Sequence, residues 1–227
     1  MDCASQGILY VVSTPIGNMD DITIRAVEIL RNSDLILAED TREIQKILSR
    51  HDIKKPILAY TDQKHDKISA HVLNLINMGQ NVSLTSDSGT PLISDPGFKL
   101  VEQARKLGLR VVSIPGPSAP IAAMSICGLP TDKFVFLGFL PKTKTKKRDL
   151  LEKYIDIDAS LIIFESPQRI NALLEEIYVI YGSRKASVIK DLTKVYEMVR
   201  TADLKELVKE RFIEKGEYIL IVAKKDY

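Results

Sequence analysis

Residues 86–97 read Ser-Asp-Ser-Gly-Thr-Pro-Leu-Ile-Ser-Asp-Pro-Gly, and this segment guides the interpretation of the rest of the chain. An apolar run that includes Val82 and Leu84 precedes it, and a helical pattern of apolar residues begins at Leu100. Two glycines, two prolines and two aspartates within twelve residues are typical of a loop between a strand and a helix. Such loops usually have about two to six residues, so the length favours a ligand-binding loop over an ordinary connection.

A predicted strand followed by a polar turn occurs at three other places. The predicted strands are residues 8–13, 35–38, 81–85 and 110–114, and the turns after them are residues 14–18, 39–42, 86–97 and 115–119. Strands that alternate with helices form a parallel sheet through right-handed crossovers. Because ligands bind at the carboxyl ends of parallel strands, we expect the four turns to meet at one edge and to form one site.

The second part of the chain has a different pattern. The predicted strands 185–190 and 195–200 follow each other without a helix between them, which indicates a mixed sheet. We therefore predict an α/β fold with a mostly parallel N-terminal domain, residues 1–128, and a mixed C-terminal domain, residues 131–227. A ligand cleft between two such domains is the expected arrangement.

The composition sets broad limits on function. The chain has 227 residues and a net charge of +2, which neither requires nor excludes a nucleic-acid partner. Cys3 and Cys127 form neither a disulfide framework nor a metal-ligand spacing, so we expect a reducing compartment, the cytoplasm, and no metal. We also expect neither a signal peptide nor a membrane span.

A basic segment lies at residues 142–148, with five positive charges in seven residues. These charges are Lys142, Lys144, Lys146, Lys147 and Arg148. The segment is either a solvated, mobile loop or an arm that contacts RNA phosphates. No aromatic residue lies among the charges, so base stacking is not expected there.

Three further positions have two open interpretations each. Asp40 either contacts a ligand or caps the helix at 43–50. Ser118 either caps the following helix or holds a ligand group. Glu165 and Arg169 form either an ion pair at a helix start or part of a reaction centre.

Eight short motifs occur in a fixed order along the chain. They are TPIGN at 14–18, AEDTR at 38–42, SDSGTPLISDPG at 86–97, PGPS at 115–118, GFLP at 138–141, ESPQR at 165–169, LTK at 192–194 and GE at 216–217. Together they resemble the ribosomal RNA small subunit methyltransferase I family, within the tetrapyrrole methylase-like (class III) methyltransferases. The resemblance runs from about residue 9 to residue 223. It departs at Ser88, where many members have Ala, and at Asp191, where Glu is frequent.

The resemblance implies S-adenosylmethionine in a cleft between two α/β domains, a homodimer, and 2′-O-methylation of a cytidine in the decoding region of small-subunit (16S) rRNA. The cofactor contacts expected on this basis are Pro15, Ile16, Gly17, Asp87, Ser88, Gly89, Thr90, Ile93, Ser118, Ala119, Phe164, Leu192 and Tyr218.

This chemistry requires no metal, because the sulfonium of the cofactor supplies the electrophile. The protein has to align the ribose 2′-oxygen with the methyl group and to remove a proton or stabilise an alkoxide. Asp40, Glu165 and Lys194 are the candidate catalytic residues. Arg42 and Arg169, with the basic segment 142–148, are the candidate RNA contacts.

Two other functions stay open at this point. The same fold supports C-methylation of a tetrapyrrole. A non-catalytic RNA-binding factor is the third possibility, although its cofactor turns would then serve no purpose.

Overall fold

The computed structural model describes residues 6–227, and its first part contains a five-stranded sheet. The strands are β1 (Ile8–Val12), β2 (Leu35–Ala38), β3 (Ile57–Ala59), β4 (Val82–Leu84) and β5 (Arg110–Ile114). Their order is β3-β2-β4-β1-β5, and every pairing is parallel. The predicted parallel sheet is therefore confirmed.

Helices cover both faces of this sheet. They are α1 (Ile24–Asn32), α2 (Thr41–Arg50), α3 (His65–Asn77) and α4 (Phe98–Lys106), with a short 3-10 helix at Met19–Asp21. Neighbouring residues of β2 point to opposite faces, so Ile36 packs into one apolar cluster and Leu37 into the other. A parallel sheet that is buried on both faces needs such uninterrupted apolar strands.

The second part of the chain contains a mixed sheet. Its strands are β6 (Phe134–Phe139), β7 (Ser160–Glu165), β8 (Lys185–Lys190), β9 (Met198–Asp203) and β10 (Tyr218–Val222), in the order β6-β7-β10-β8-β9. Only β6 and β7 are parallel, and the other pairings are antiparallel. This confirms the mixed sheet that the sequence predicts.

The helices of the second part are α5 (Ala119–Ile126), α6 (Lys144–Lys153), α7 (Ile170–Tyr181) and α8 (Leu204–Leu207). Leu173 and Leu174 of α7 pack against Leu161, Val188 and Leu220 of the sheet in one apolar core. Within residues 6–227, no helix is long and apolar enough to cross a membrane.

The chain divides into two compact units, one up to Ser118 and one from Ala119 to Tyr227. The sequence placed the boundary later, after residue 128. The difference lies in α5, which contacts β10 and is followed by Cys127, whose carbonyl accepts a hydrogen bond from Thr201 Oγ1 at 2.8 Å. Cys127 is a buried free thiol, and Cys3 lies outside the described residues.

Candidate active site

The turns after β1 and β4 are joined by main-chain hydrogen bonds. The Thr14 amide donates to the Gly89 carbonyl at 2.8 Å, and the Gly89 amide donates to the Thr14 carbonyl at 3.1 Å. The Thr14 hydroxyl donates to the Ser86 carbonyl at 3.2 Å. The turns that the sequence expects to meet at the carboxyl edge of the first sheet thus contact each other.

A side-chain hydrogen bond connects the turn after β5 to the turns after β1 and β4. The Thr90 hydroxyl donates to the Pro117 carbonyl at 3.0 Å and lies 3.0 Å from the Ser13 hydroxyl. Since Thr90 uses its proton on Pro117, it accepts the hydrogen bond from Ser13. Gly116 lies so close that a Cβ there would be 2.9 Å from the Cβ of Ser13. Ser13 was not among the site residues predicted from the sequence. Its position directly after β1 could have indicated a site residue.

Asp87 connects the turns after β2 and β4. One of its carboxylate oxygens accepts a hydrogen bond from the Asp40 amide at 2.8 Å. Asp40 is the N-cap of α2, because its carboxylate accepts from the Arg42 amide at 2.8 Å. The cap interpretation of Asp40 is therefore confirmed.

The same geometry argues against Asp40 as a general base. The hydrogen bonds from the Arg42 side chain and amide lower the pKa of Asp40 to about 2. A carboxylate with such a pKa accepts a proton poorly at neutral pH. We therefore withdraw Asp40 from the catalytic candidates. The side chain of Arg42 is itself 85% exposed.

Two other carboxyl groups at this edge have raised pKa values. Burial, reinforced by the negative charge of Asp87, raises the pKa of Asp95 to about 6, although a hydrogen bond from Ser86 opposes the rise. Burial and the surrounding aspartates also raise the pKa of Glu39. Glu39 and Asp95 lie in the predicted turns 39–42 and 86–97, but the sequence could not predict their pKa shifts, because burial is the main cause.

The loop at 86–97 has an unusual backbone. Leu92 and Ser94 have positive φ angles of 74° and 67°, which non-glycine residues adopt at a cost. Ile93 lies between them with 44% of its surface exposed. Gly97 has φ +126°, and a Cβ there would lie 2.8 Å from Leu84 Cδ2. The loop is fixed by close packing, and it presents an isoleucine at its surface.

In the second unit, the predicted site residues lie at one edge of the mixed sheet. Tyr218, the first residue of β10, pairs with Glu165 at the end of β7 and with Lys190 at the end of β8. Phe164 pairs with Ile219, one position further along. Leu192 and Lys194 follow β8 directly. The structure thus brings together three segments that are far apart in sequence.

Glu165 forms the ion pair at the helix start. It is 3% exposed and accepts hydrogen bonds from the Ser166 amide at 2.8 Å and from Arg169 Nε at 2.7 Å. The pair is therefore not an exposed surface ion pair, since the Glu165 side chain is 2% exposed and that of Arg169 is 35% exposed. Removing one partner of a buried pair leaves an uncompensated charge, so Glu165 contributes to stability as well.

A second ionic group surrounds Asp191. Its carboxylate pairs with Lys190 and accepts from the Glu217 amide at 3.2 Å, and a Cβ on Gly216 would lie 2.7 Å from both carboxylate oxygens. Partial burial raises the pKa of Asp191, but the hydrogen bonds from Lys190 and Glu217 outweigh it and hold that pKa below its usual value. Lys194 Nζ lies 2.8 Å from Glu217 Oε2.

Tyr218 has its side chain in the core of the second unit. It is 2% exposed, and its hydroxyl donates to the Ile213 carbonyl at 2.8 Å. A cofactor contact from Tyr218 would therefore use its main chain. Phe164 packs edge-to-face on Phe136 and Phe139, and Leu192 is buried.

The basic segment is not the mobile loop of the first sequence interpretation, because residues from Lys144 onward form α6. Lys142, Lys144 and Lys146 are exposed, whereas Lys147 is buried, with Nζ 2.8 Å from Glu176 Oε2. The side chain of Arg148 is exposed and pairs with Glu152 at 2.7 Å. Lys147 is therefore removed from the candidate RNA contacts, because its charge is already used within the unit.

The first edge fits a methyl donor with an amino acid and a nucleoside part. Exposed Asp87 and the half-buried Glu39 and Asp95 offer acceptors for hydroxyl or ammonium groups, and exposed Ile93 offers an apolar contact, whereas Ile16 is 7% exposed. Gly89, at φ +85°, brings the main chain close to Ile16. Within residues 6–227, no three His, Cys, Asp or Glu side chains are placed to hold a metal ion.

Comparison with known proteins identifies the class. The family model described as Tetrapyrrole (Corrin/Porphyrin) Methylases matches residues 8–208. The fold resembles the crystal structure of uroporphyrin-III-C-methyltransferase from Thermus thermophilus, with a TM-score of 0.67, 17% identity and coverage of 96% of this chain and 95% of that one. Diphthine synthase has a TM-score of 0.73 and 16% identity, over 95% of this chain and 89% of that one. The chain belongs to the tetrapyrrole methylase family.

Its more similar relatives within this family have a common name, Ribosomal RNA small subunit methyltransferase I. The protein of Rickettsia prowazekii is 44% identical over 217 residues, which are 95% of this chain and 78% of that protein. The protein of Thermotoga maritima is 39% identical over 222 residues, which are 97% of this chain and 100% of that protein. The resemblance seen in the motifs is confirmed, and the cofactor is S-adenosylmethionine, as in this family.

Proposed function

We propose that this protein transfers a methyl group from S-adenosylmethionine to the 2′-hydroxyl of a cytidine in the decoding region of small-subunit rRNA. The observation that carries the proposal is the identity of 39–44% with proteins named as small-subunit rRNA methyltransferases, over at least 95% of the chain. The motif resemblance supports the finer choice of ribose and of cytidine.

The cofactor contacts are assigned to both units. In the first unit, the turn 14–18, the loop 86–97 and Ser118 hold the donor, and Thr90 fixes their mutual distances through Ser13 and Pro117. Ala119, Phe164, Leu192 and the main chain of Tyr218 are the proposed contacts of the second unit. When bound, S-adenosylmethionine supplies an electrophilic methyl group on its sulfonium.

The residues around β10 are assigned to the ribose hydroxyl. Lys194 stabilises the negative charge that develops on the 2′-oxygen, since its partner Glu217 is 74% exposed and holds it weakly. Glu165 positions Arg169, which contacts RNA. No catalytic role is assigned to Asp40.

The RNA backbone is proposed to lie on exposed cations. Lys142, Lys144, Lys146 and Arg148 provide a cluster around the start of α6, and Arg42 provides a further charge in the first unit. Phosphate contacts of this kind make affinity depend on salt but do not select a sequence. We further propose a homodimer, and the cytoplasm as its compartment, where ribosomal subunits occur.

The experiment is methyl transfer from radiolabelled S-adenosylmethionine to small subunits from a strain that lacks this methylation. We expect label in the rRNA at one cytidine, with the adjacent phosphodiester resistant to alkali. Label in a porphyrinoid instead would replace the proposal with tetrapyrrole C-methylation. Absence of S-adenosylmethionine binding in calorimetry would support a non-catalytic RNA-binding factor.

Variants at Lys194 test the proposed catalytic role. Lys194→Met is expected to lower kcat about 100-fold, because a charge aimed at a developing oxyanion is lost. The affinity for S-adenosylmethionine should not change. Lys209→Met, at an exposed lysine of the same unit, is the matched control and should retain activity. Equal kcat values for the two variants would remove Lys194 from the mechanism.

A further inference from the structure

We propose that Tyr196 is the platform on which a single-stranded nucleobase of the RNA substrate stacks. This inference rests on the proposed function and deepens it by naming how the base is held. Tyr196 is 80% exposed and its neighbour Val195 is 93% exposed, although both are large apolar side chains. A single exposed apolar residue is ordinary, so the argument depends on how this one is presented.

Hydrogen bonds hold the turn 191–197 in one conformation. The Lys194 amide donates to the Asp191 carbonyl at 2.9 Å, and the Glu197 amide donates to the Lys194 carbonyl at 3.1 Å. The Thr193 amide donates to the Glu197 carboxylate at 2.6 Å. A turn that is held in this way loses little backbone freedom when its aromatic side chain binds a ligand.

The base of the turn is anchored as well. Asp191 and Thr193 have positive φ angles of 51° and 64°, and this strain is held by the contact of the Asp191 carboxylate with Gly216 and the Glu217 amide. Strained non-glycine residues that are held in this way occur preferentially at functional sites. The anchor therefore restrains the backbone of the turn.

The turn 191–197 also lies at the edge of the mixed sheet that carries the other proposed site residues of the second unit. It follows Lys190, which pairs with Tyr218 at the sheet edge that carries Glu165. Leu192 and Lys194, which are assigned to the cofactor and to the ribose oxygen, belong to the same turn. A base that stacks on Tyr196 would therefore lie within a few residues of the groups that act on its ribose.

The chemistry selects single-stranded RNA. Sequence-specific RNA readers splay bases out and stack them on aromatic rings. The basic segment 142–148 contains no aromatic residue, so it offers phosphate contacts alone. Tyr196 supplies the stacking surface that this segment lacks.

The test measures binding of a fluorescein-labelled, single-stranded oligonucleotide with the decoding-region sequence by anisotropy. Tyr196→Ala should weaken binding about 5- to 100-fold, the range found for loss of one stacked base, whereas Tyr196→Phe should stay within about two-fold of the parent protein. Ile24→Ala removes an equally exposed (80%) apolar side chain in the other unit and should bind RNA normally. All variants should bind S-adenosylmethionine with the parent affinity.

Three results would overturn the inference. The first is normal RNA binding by Tyr196→Ala. The second is an equal loss with Tyr196→Phe, which would assign the effect to the hydroxyl. The third is a change in sedimentation mass confined to Tyr196→Ala, which would place Tyr196 between two copies of the chain. If the parent protein methylates rRNA and Tyr196→Ala does so equally well, only this inference fails, whereas a parent protein that does not methylate rRNA refutes the proposed function itself.

Discussion

The hydroxyl of Thr90 is a single group that joins three turns. It donates to Pro117 and accepts from Ser13, so the ends of β1, β4 and β5 are held by one side chain. A site whose parts are fixed before the ligand arrives loses less entropy on binding.

Thr90→Val is therefore expected to weaken S-adenosylmethionine binding about 10-fold, because it removes both hydrogen bonds at nearly constant volume. Thr90→Ser retains the hydroxyl and should remain within about two-fold of the parent affinity. Isothermal calorimetry measures both. Equal affinities for the Val and Ser variants would show that the link does not organise the site.

Asp95 gives a pH prediction. Its folded pKa of about 6 exceeds the ordinary value of 3.8, so the folded state retains a proton that the unfolded state has lost. The stability that this group contributes is present below about pH 4 and is lost as the pH rises through about 6. The cost is at most about 1.4 kcal/mol for each unit of pKa difference.

Asp95→Asn should remove this loss. In urea unfolding between about pH 4 and pH 7, the parent protein should lose stability relative to the variant as the pH rises. Parallel pH profiles would contradict the assignment of the raised pKa to Asp95.

Single residues show how far the sequence informs the site. The composition of residues 86–97 indicated a ligand loop, and the family resemblance added Asp87 and Thr90 as expected contacts. A cap and a ligand contact use the same residue types, so Asp40 remained ambiguous until its bond to the Arg42 amide was seen. The side chain of Tyr218 packs in the core, because β10 is the central strand of its sheet. Burial of this kind depends on tertiary neighbours that the motif does not encode.

At the level of elements, α6 is the main departure from the sequence prediction. The charges at 142–148 drew attention to the segment as a loop, but the helix extends to Lys153 and buries Lys147 and Leu151 at i, i+4 spacing. The ammonium of Lys147 reaches Glu176 of α7 while its stem covers apolar surface. A stretch of sequence that ends at residue 148 does not include Leu151, so it cannot show the buried face of α6.

The exposed and the buried lysines of α6 should consequently respond differently to substitution. Lys144→Ala with Lys146→Ala should weaken RNA binding and reduce its salt dependence by about two charges, without loss of stability. Lys147→Ala should cost about 1.5–3 kcal/mol in urea unfolding, because it leaves Glu176 without its partner. RNA filter binding at several salt concentrations gives the first quantity. A normal salt slope for the double variant would leave α6 without a role in RNA binding.

Strands were predicted more accurately than helix starts. The bounds of β2, β5 and β8 match the predicted runs, because short uninterrupted apolar segments leave few alternatives, whereas β9 begins at Met198 and not at residue 195. Asp20 and Asp21 could also cap a helix, but they lie in the short 3-10 helix before α1. Thr23 caps α1, with its Oγ1 3.1 Å from the Ala26 amide, and cap-forming residues at both positions made the choice undecidable from sequence.

For the whole molecule, the proposed cofactor contacts come from both units, and this makes a thermodynamic prediction. S-adenosylmethionine at about 100 times its dissociation constant should add about 2.7 kcal/mol to the stability of the bound state. If both units hold it, calorimetric scans should show a single transition that moves upward as one. An upward shift confined to one of two resolved transitions would restrict the site to one unit. Asp87→Ala, which loses the link to Asp40, should reduce the shift.

The convergence of the turns was predictable because it follows from topology. Once strands and helices alternate, parallel pairing places every carboxyl end at one edge, whatever the detailed packing. The division at Ser118 was not predictable in the same way, because it depends on which sheet α5 packs against.

The position of β1 within its sheet has a consequence for synthesis on the ribosome. β1 is paired on both sides, and Leu9 has Val82 and Val111 as its partners. A nascent chain therefore carries this apolar strand without either neighbour until much later segments emerge, and pairing over such separations is slow. Within this sheet, β1 is translated before the strands on either side of it and is among the last to be enclosed. Resistance of this unit to proteolysis should therefore begin only when residue 114 has left the exit tunnel.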